Sequence, residues 1–143
     1  VLSMPEHKKI RGKVRVAFQH GIPITFKTGE AETKAYPYTF EDAIALTNPE
    51  LFRNLKKPTK KMKQMQTALN LDTLELCCEA LYKALKYDKA EMALDLLFCT
   101  DPTELVAPAY IQEGLEWLKQ ALDDASRDLT PEVPETTVEQ EAE

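Results

Sequence analysis

Between Asp72 and Ala125 the apolar residues return every three or four positions. That rhythm constrains the chain more than any other feature, because each stripe must be buried by packing a helix against something. Leu74, Cys77 or Cys78, Leu81 and Leu85 form the first stripe, with Asp72 as its N-cap. Met92, Ala93, Leu96 and Leu97 form the second, in a helix that starts at Asp88 and is broken by Asp101-Pro102. Ile111, Leu115, Leu118 and Leu122 form the third, which begins near Pro108, carries Trp117 on its flank and ends about Ala125.

The first half is less regular. SMPEHKKIRG has no apolar period and reads as a loop. In KVRVAF, Val14, Val16 and Phe18 alternate with Lys13, Arg15 and Ala17, the pattern of a strand with one buried face. After Gly21, IPITF repeats the pattern, but Pro23 lacks an N–H and confines this run to an edge. Residues 27–38 read as an exposed excursion. TFEDAIALTN then opens a helix, with Thr39 as N-cap and Asp42 three residues on, and Asn48-Pro49 interrupts it ahead of a short PELFRNL turn that offers Leu51, Phe52 and Leu55 for packing. KKPTKKMKQMQ is basic and poorly patterned, and is read as a linker.

The expected fold class is α+β and mostly helical: a small strand pair followed by about four to five helices. Residues 1–126 form the folded part and residues 127–143 a disordered acidic tail, in which TPEVPETTVEQEAE has almost nothing to bury. A length of 143 residues suits one domain, or one piece of a larger protein. Three cysteines, none in a C-x-x-C, point to a reducing cytoplasm, and no apolar run is long enough to span a bilayer.

The net charge of −6 conceals an asymmetry. Residues 1–66 hold 13 Lys and Arg against 6 Asp and Glu, whereas residues 67–143 hold 5 against 18. The basic stretch containing Lys57, Lys60 and Lys61 is suited to phosphates, and DNA is the partner it suggests; a solvated charged face is the plainer reading. Four glycines cannot build a phosphate-binding loop of either common type, so no autonomous ATP site is expected. His7 and His20 lack zinc spacing and are read as surface residues; Cys77 and Cys78 are read as core.

Taken in order, GKVRVAFQ, YTFEDAIALTNPELF, KAEMALDLL and VAPAYIQEGLEWL resemble the C-terminal part of the TOPRIM nuclease domain of the overcoming-lysogenisation-defect (OLD) family of ATP-dependent endonucleases. The resemblance covers roughly residues 10–122. It implies that the strand pair closes a TOPRIM-like sheet, and that the chain is the C-terminal portion of a metal-dependent hydrolase acting on DNA, in phage defence or DNA processing. It also implies Mg²⁺ or Mn²⁺ as cofactor and an ATPase region elsewhere in the polypeptide. The implied partners are DNA, the rest of the nuclease and ATPase polypeptide, and a second copy of the chain.

Carried over by residue, Glu41 matches the acid that helps hold the metal, Asp42 is the weaker candidate beside it, and Lys89 matches the active-site lysine. The plain structural reading makes Glu41 a carboxylate at a helix start and Lys89 a solvated lysine. A TOPRIM site also needs an earlier Glu and a D-x-D, and this chain contains no D-x-D. The part present is therefore expected to bind metal poorly and cut nothing alone. The rival class is a non-catalytic helical module for protein interaction or nucleic-acid binding.

Overall fold

The computed structural model describes residues 5–87 and 89–128. Regular structure starts with one helical turn, α1 (Glu6–Lys9), in the stretch that reads as a loop, and runs directly into a two-residue strand, β1 (Ile10–Arg11). Gly12, at φ +59°, turns the chain back into β2 (Val14–Arg15), antiparallel to β1. A second hairpin pairs β3 (Ile22–Ile24) with β4 (Thr33–Ala35), in the register Ile22 to Ala35 and Ile24 to Thr33. Helices follow: α2 (Phe40–Thr47), α3 (Pro49–Arg53), α4 (Lys60–Leu69), α5 (Leu74–Leu85), α6 (Lys89–Cys99) and, after a 3-10 turn, α7 (Ala109–Asp128). The fold is mostly helical with small antiparallel strand pairs ahead of the helices, as the sequence led us to expect.

The pairing of the strands differs from expectation. The two β-patterned runs do not join each other; each finds its own partner, and the segment read as an exposed excursion supplies β4 with a buried Ala35. In β2 the faces are inverted. Val14 and Val16 are 63% and 53% exposed, while the Arg15 side chain is 7% exposed and its guanidinium donates to the Glu113 carbonyl. A two-residue ladder has no sheet face to bury, so the compensated Arg15 takes the inner position.

Three helices begin in one way. The hydroxyls of Thr39, Thr59 and Thr73 accept from the backbone N–H of Asp42, Met62 and Leu76 at 3.2–3.3 Å, satisfying donors that the first turn leaves over. Thr73, rather than Asp72, therefore caps α5. Asn48 ends α2 and, 6% exposed, exchanges two hydrogen bonds with Val106: Nδ2 donates to its carbonyl at 2.9 Å and Oδ1 accepts its N–H at 2.8 Å. Pro49 then starts α3, where its missing N–H costs nothing.

The largest correction concerns the stretch read as a basic linker. It is α4, and it lies at the centre of the molecule, packed on α3, α5 and α6. Met62, Met65, Ala68 and Leu69 are buried, facing Phe26, Phe52, Leu46, Cys77, Leu81 and Leu85 in one core. Arg53 locks this arrangement: Nε donates to the Leu69 carbonyl at 3.0 Å, one terminal nitrogen donates to the Phe26 carbonyl at 2.7 Å, and the guanidinium stacks on the Phe26 ring.

Two of the leucine stripes are only partly used. In α6, Met92 is buried and Leu96 and Cys99 pack on the core, but Ala93 is exposed and Leu97 is 65% exposed. In α7, Leu115, Leu118 and Leu122 are all exposed. That helix meets the domain along another face, through Tyr110, Glu113 and Gly114, where an added Cβ would come within 3.2 Å of the Ala17 methyl. Arg127 and Asp128 belong to its last turn, and the remainder of the expected acidic tail lies outside the described residues. No helix among the described residues is long and apolar enough to cross a membrane.

Candidate functional site

Thr39 sets where α2 begins, and so puts Glu41 and Asp42 in the first turn, where carboxylates oppose the positive end of the helix. Lys89 is the first residue of α6, the wrong end of a helix for a cation. Tertiary packing resolves that conflict. Nζ of Lys89 lies 3.0 Å from Oε2 of Glu41, across 48 positions of sequence, so the ends of the two side chains share one surface site. The Glu41 side chain is 10% exposed and that of Lys89 is 57% exposed.

The two neighbouring acids face different surroundings. Burial pushes the Glu41 carboxyl up, but its own backbone N–H, hydrogen bonds from Lys89 and Thr39 and the Lys89 charge outweigh burial and hold it below its ordinary value. Asp42 is 1% exposed. Its Oδ2 accepts the Tyr38 N–H at 3.3 Å, while Oδ1 is buried without a hydrogen-bond partner. Burial raises the Asp42 carboxyl, against hydrogen bonds from Thr39 and Tyr38, and the negative charge of Glu41 adds to the rise.

A hard divalent ion takes oxygen ligands. Glu41 fits that requirement as one ionised carboxylate beside a cation. Asp42 fits poorly, being enclosed and engaged in closing the start of α2. Among the described residues no three His, Cys, Asp or Glu side chains converge on a metal position. Any cation centre built on Glu41 draws its other ligands from elsewhere.

The three lysines of the basic stretch do not act as one patch. Lys57 and Lys60 are exposed, whereas Lys61 is 9% exposed and donates from Nζ to the Ala84 carbonyl at 3.2 Å, tying α4 to α5. Lys60 instead shares a groove between α4 and α5 with Lys63 and Lys83. Cys77 is core, its thiol pushed up to about 12 chiefly by burial. His20 is not a surface residue: it is half-buried, with its ring edge-on to Tyr110 and Nε2 3.5 Å from Glu113 Oε1.

Sequence reasoning missed an aromatic cluster whose members Tyr38 and Tyr87 stand shortly before Glu41 and Lys89 in the chain. The Tyr38 ring packs at a tilt against that of Tyr82, 5.2 Å between centroids, and Lys86 reaches over the rings of Tyr82 and Tyr87. The available signal was position: Tyr38 precedes the cap of α2, and Tyr87 stands two residues ahead of Lys89.

No family model, curated protein or solved structure matches the chain. The functional reading rests on the residues themselves.

Proposed function

We propose that this chain contributes part of the active site of a metal-dependent DNA endonuclease of the TOPRIM, OLD-like class, working in the cytoplasm as the C-terminal portion of an ATPase-linked protein. The observation that carries the reading is the Lys89 to Glu41 contact of 3.0 Å, which joins the two residues that the resemblance singled out independently. The same contact offsets the unfavourable position of Lys89 at the positive end of α6 and leaves its ammonium at the surface.

In this reading Glu41 is a ligand for Mg²⁺ or Mn²⁺, held ionised by Lys89, Thr39 and its own N–H. The bound ion supplies Lewis-acid activation of a phosphodiester. Lys89, more than half exposed, places its ammonium against the phosphoryl oxygens and stabilises the charge that develops as the bond to the leaving oxygen lengthens. Asp42 holds the start of α2 by accepting the Tyr38 N–H, and so fixes the direction of Glu41. The missing D-x-D must be supplied by another part of the polypeptide.

The test is cleavage of duplex DNA with Mg²⁺ or Mn²⁺, by residues 1–143 alone and by the same residues joined to a segment that carries the D-x-D. The reading expects no cleavage from the first and metal-dependent cleavage, lost with Lys89→Ala, from the second. Metal-dependent cleavage by residues 1–143 alone overturns the division of the site; cleavage by the joined protein that survives Lys89→Ala overturns the reading itself. The alternative, a helical interaction module without chemistry, draws on the exposed leucines of α7.

A further inference from the structure

Four of the five tyrosines, Tyr36, Tyr38, Tyr82 and Tyr87, are between 40% and 70% exposed. Large rings left in water contribute little to a core, and here they are gathered in one place. Tyr38 and Tyr82 lie 5.2 Å apart at a tilt of 53°, and Lys86 Nζ sits 5.9 Å from the Tyr82 ring centre and 4.8 Å from that of Tyr87. Tyr36, Tyr38 and Tyr82 line a groove of about 580 Å³ with Lys34 at its edge. Gly21 makes room for it, since a Cβ there would come within 3.0 Å of the Tyr36 ring.

The patch and the Glu41 and Lys89 pair are neighbours along the chain. Tyr38 is three residues before Glu41 and holds Asp42 through its N–H, and Tyr87 is two residues before Lys89. The contacts run from Tyr38 to Tyr82 and through Lys86 to Tyr87.

We infer that this tyrosine patch is a stacking platform for the bases of single-stranded DNA, and that it lays the strand alongside Lys89. The last clause rests on the proposed function; the stacking does not. Ring faces interleaved with cations are the surface that unpaired bases and their phosphates require, whereas a duplex keeps its base faces stacked inside. Among the described residues neither Lys34 nor Lys86 is engaged in an ion pair, so both cations are available to phosphates. The groove also carries two acids, Glu75 and Glu79, the second paired with Lys83 at 2.6 Å.

The experiment is fluorescence anisotropy of an end-labelled oligothymidylate titrated with residues 1–143 in metal-free buffer, so that no cleavage enters the readout. Binding is expected to be competed by unlabelled oligothymidylate, and not by a proline-rich peptide or by inorganic polyphosphate at equal charge. Tyr38→Ala and Tyr82→Ala should each weaken it by roughly fivefold to a hundredfold, while the Phe variants keep it. Circular dichroism checks folding, and Tyr87→Ala, at a site 67% exposed, gives the same readout should an inner variant misfold. Equal competition by polyphosphate, displacement by the peptide, or unchanged affinity in the folded Ala variants overturns the inference. Because no metal is present, failure of cleavage leaves it standing, and failure of stacking leaves the nuclease reading standing.

Discussion

Lys89 holds its ammonium 3.0 Å from the carboxylate of Glu41, and the two residues begin different helices. Each lies at a positive helix end. Glu41 is favoured there and Lys89 is not, so Glu41 serves the dipole of α2 directly and that of α6 through Lys89. The asymmetry of exposure matters as much. A carboxylate 10% exposed is fixed, and a lysine 57% exposed remains able to reach a phosphate.

On the proposed nuclease reading, Lys89→Ala in a protein completed with the D-x-D should lower the cleavage rate by about a hundredfold to a thousandfold, the range for removing one group that stabilises the transition state. DNA affinity should stay nearly unchanged, because that group contributes little to ground-state binding. Single-turnover cleavage and filter binding on the same samples read both quantities. Normal turnover in the variant removes Lys89 from the site.

Glu41 and Asp42 should make opposite contributions to stability against pH. Glu41 titrates below its ordinary value of 4.5, so the stability it adds is present above that value and is lost as pH falls through its folded pKa. Asp42 titrates above its ordinary value of 3.8, so its contribution is present below 3.8 and is lost as pH rises through its folded pKa. Urea denaturation across acid pH should therefore show a weaker fall at low pH for Glu41→Gln, and a weaker fall with rising pH for Asp42→Asn. Parallel curves for Asp42→Asn and wild type would mean that Asp42 titrates as a solvated acid.

The basic stretch should divide by role. Lys57→Gln and Lys60→Gln are each expected to flatten the salt dependence of DNA binding by about one unit of slope for each phosphate that is no longer neutralised. Lys61→Gln should leave the slope alone and lower stability by about 1 kcal/mol, because the bond to the Ala84 carbonyl is removed. Binding isotherms at several salt concentrations, with a melt of each variant, separate the two effects.

Met65 lies in the segment whose composition suggests a linker, and is fully buried. Met65→Ala should cost about 2–5 kcal/mol, as for other long apolar side chains removed from a core. A cost within about 0.5 kcal/mol, the level of an ordinary surface substitution, would place α4 outside the core.

Local chemistry was readable without coordinates wherever one residue decides the outcome. Thr39 caps α2 because a hydroxyl there meets an N–H three residues on, and Pro49 can only restart a helix. Leu81 and Leu85 are buried as their spacing requires. The same rhythm failed at Leu97 and Leu115, because periodicity marks a face able to be buried and not whether another element covers it. It failed in reverse at α4, where Met62 and Met65 stand at helical spacing but are outnumbered by lysines, most of which point outward while the methionines point in. Glu41 and Lys89 were named from short motifs; that they meet was decided by how α2 and α6 are carried on the packed core. A contact between residues 48 positions apart is a property of packing, and packing depends on every buried side chain at once.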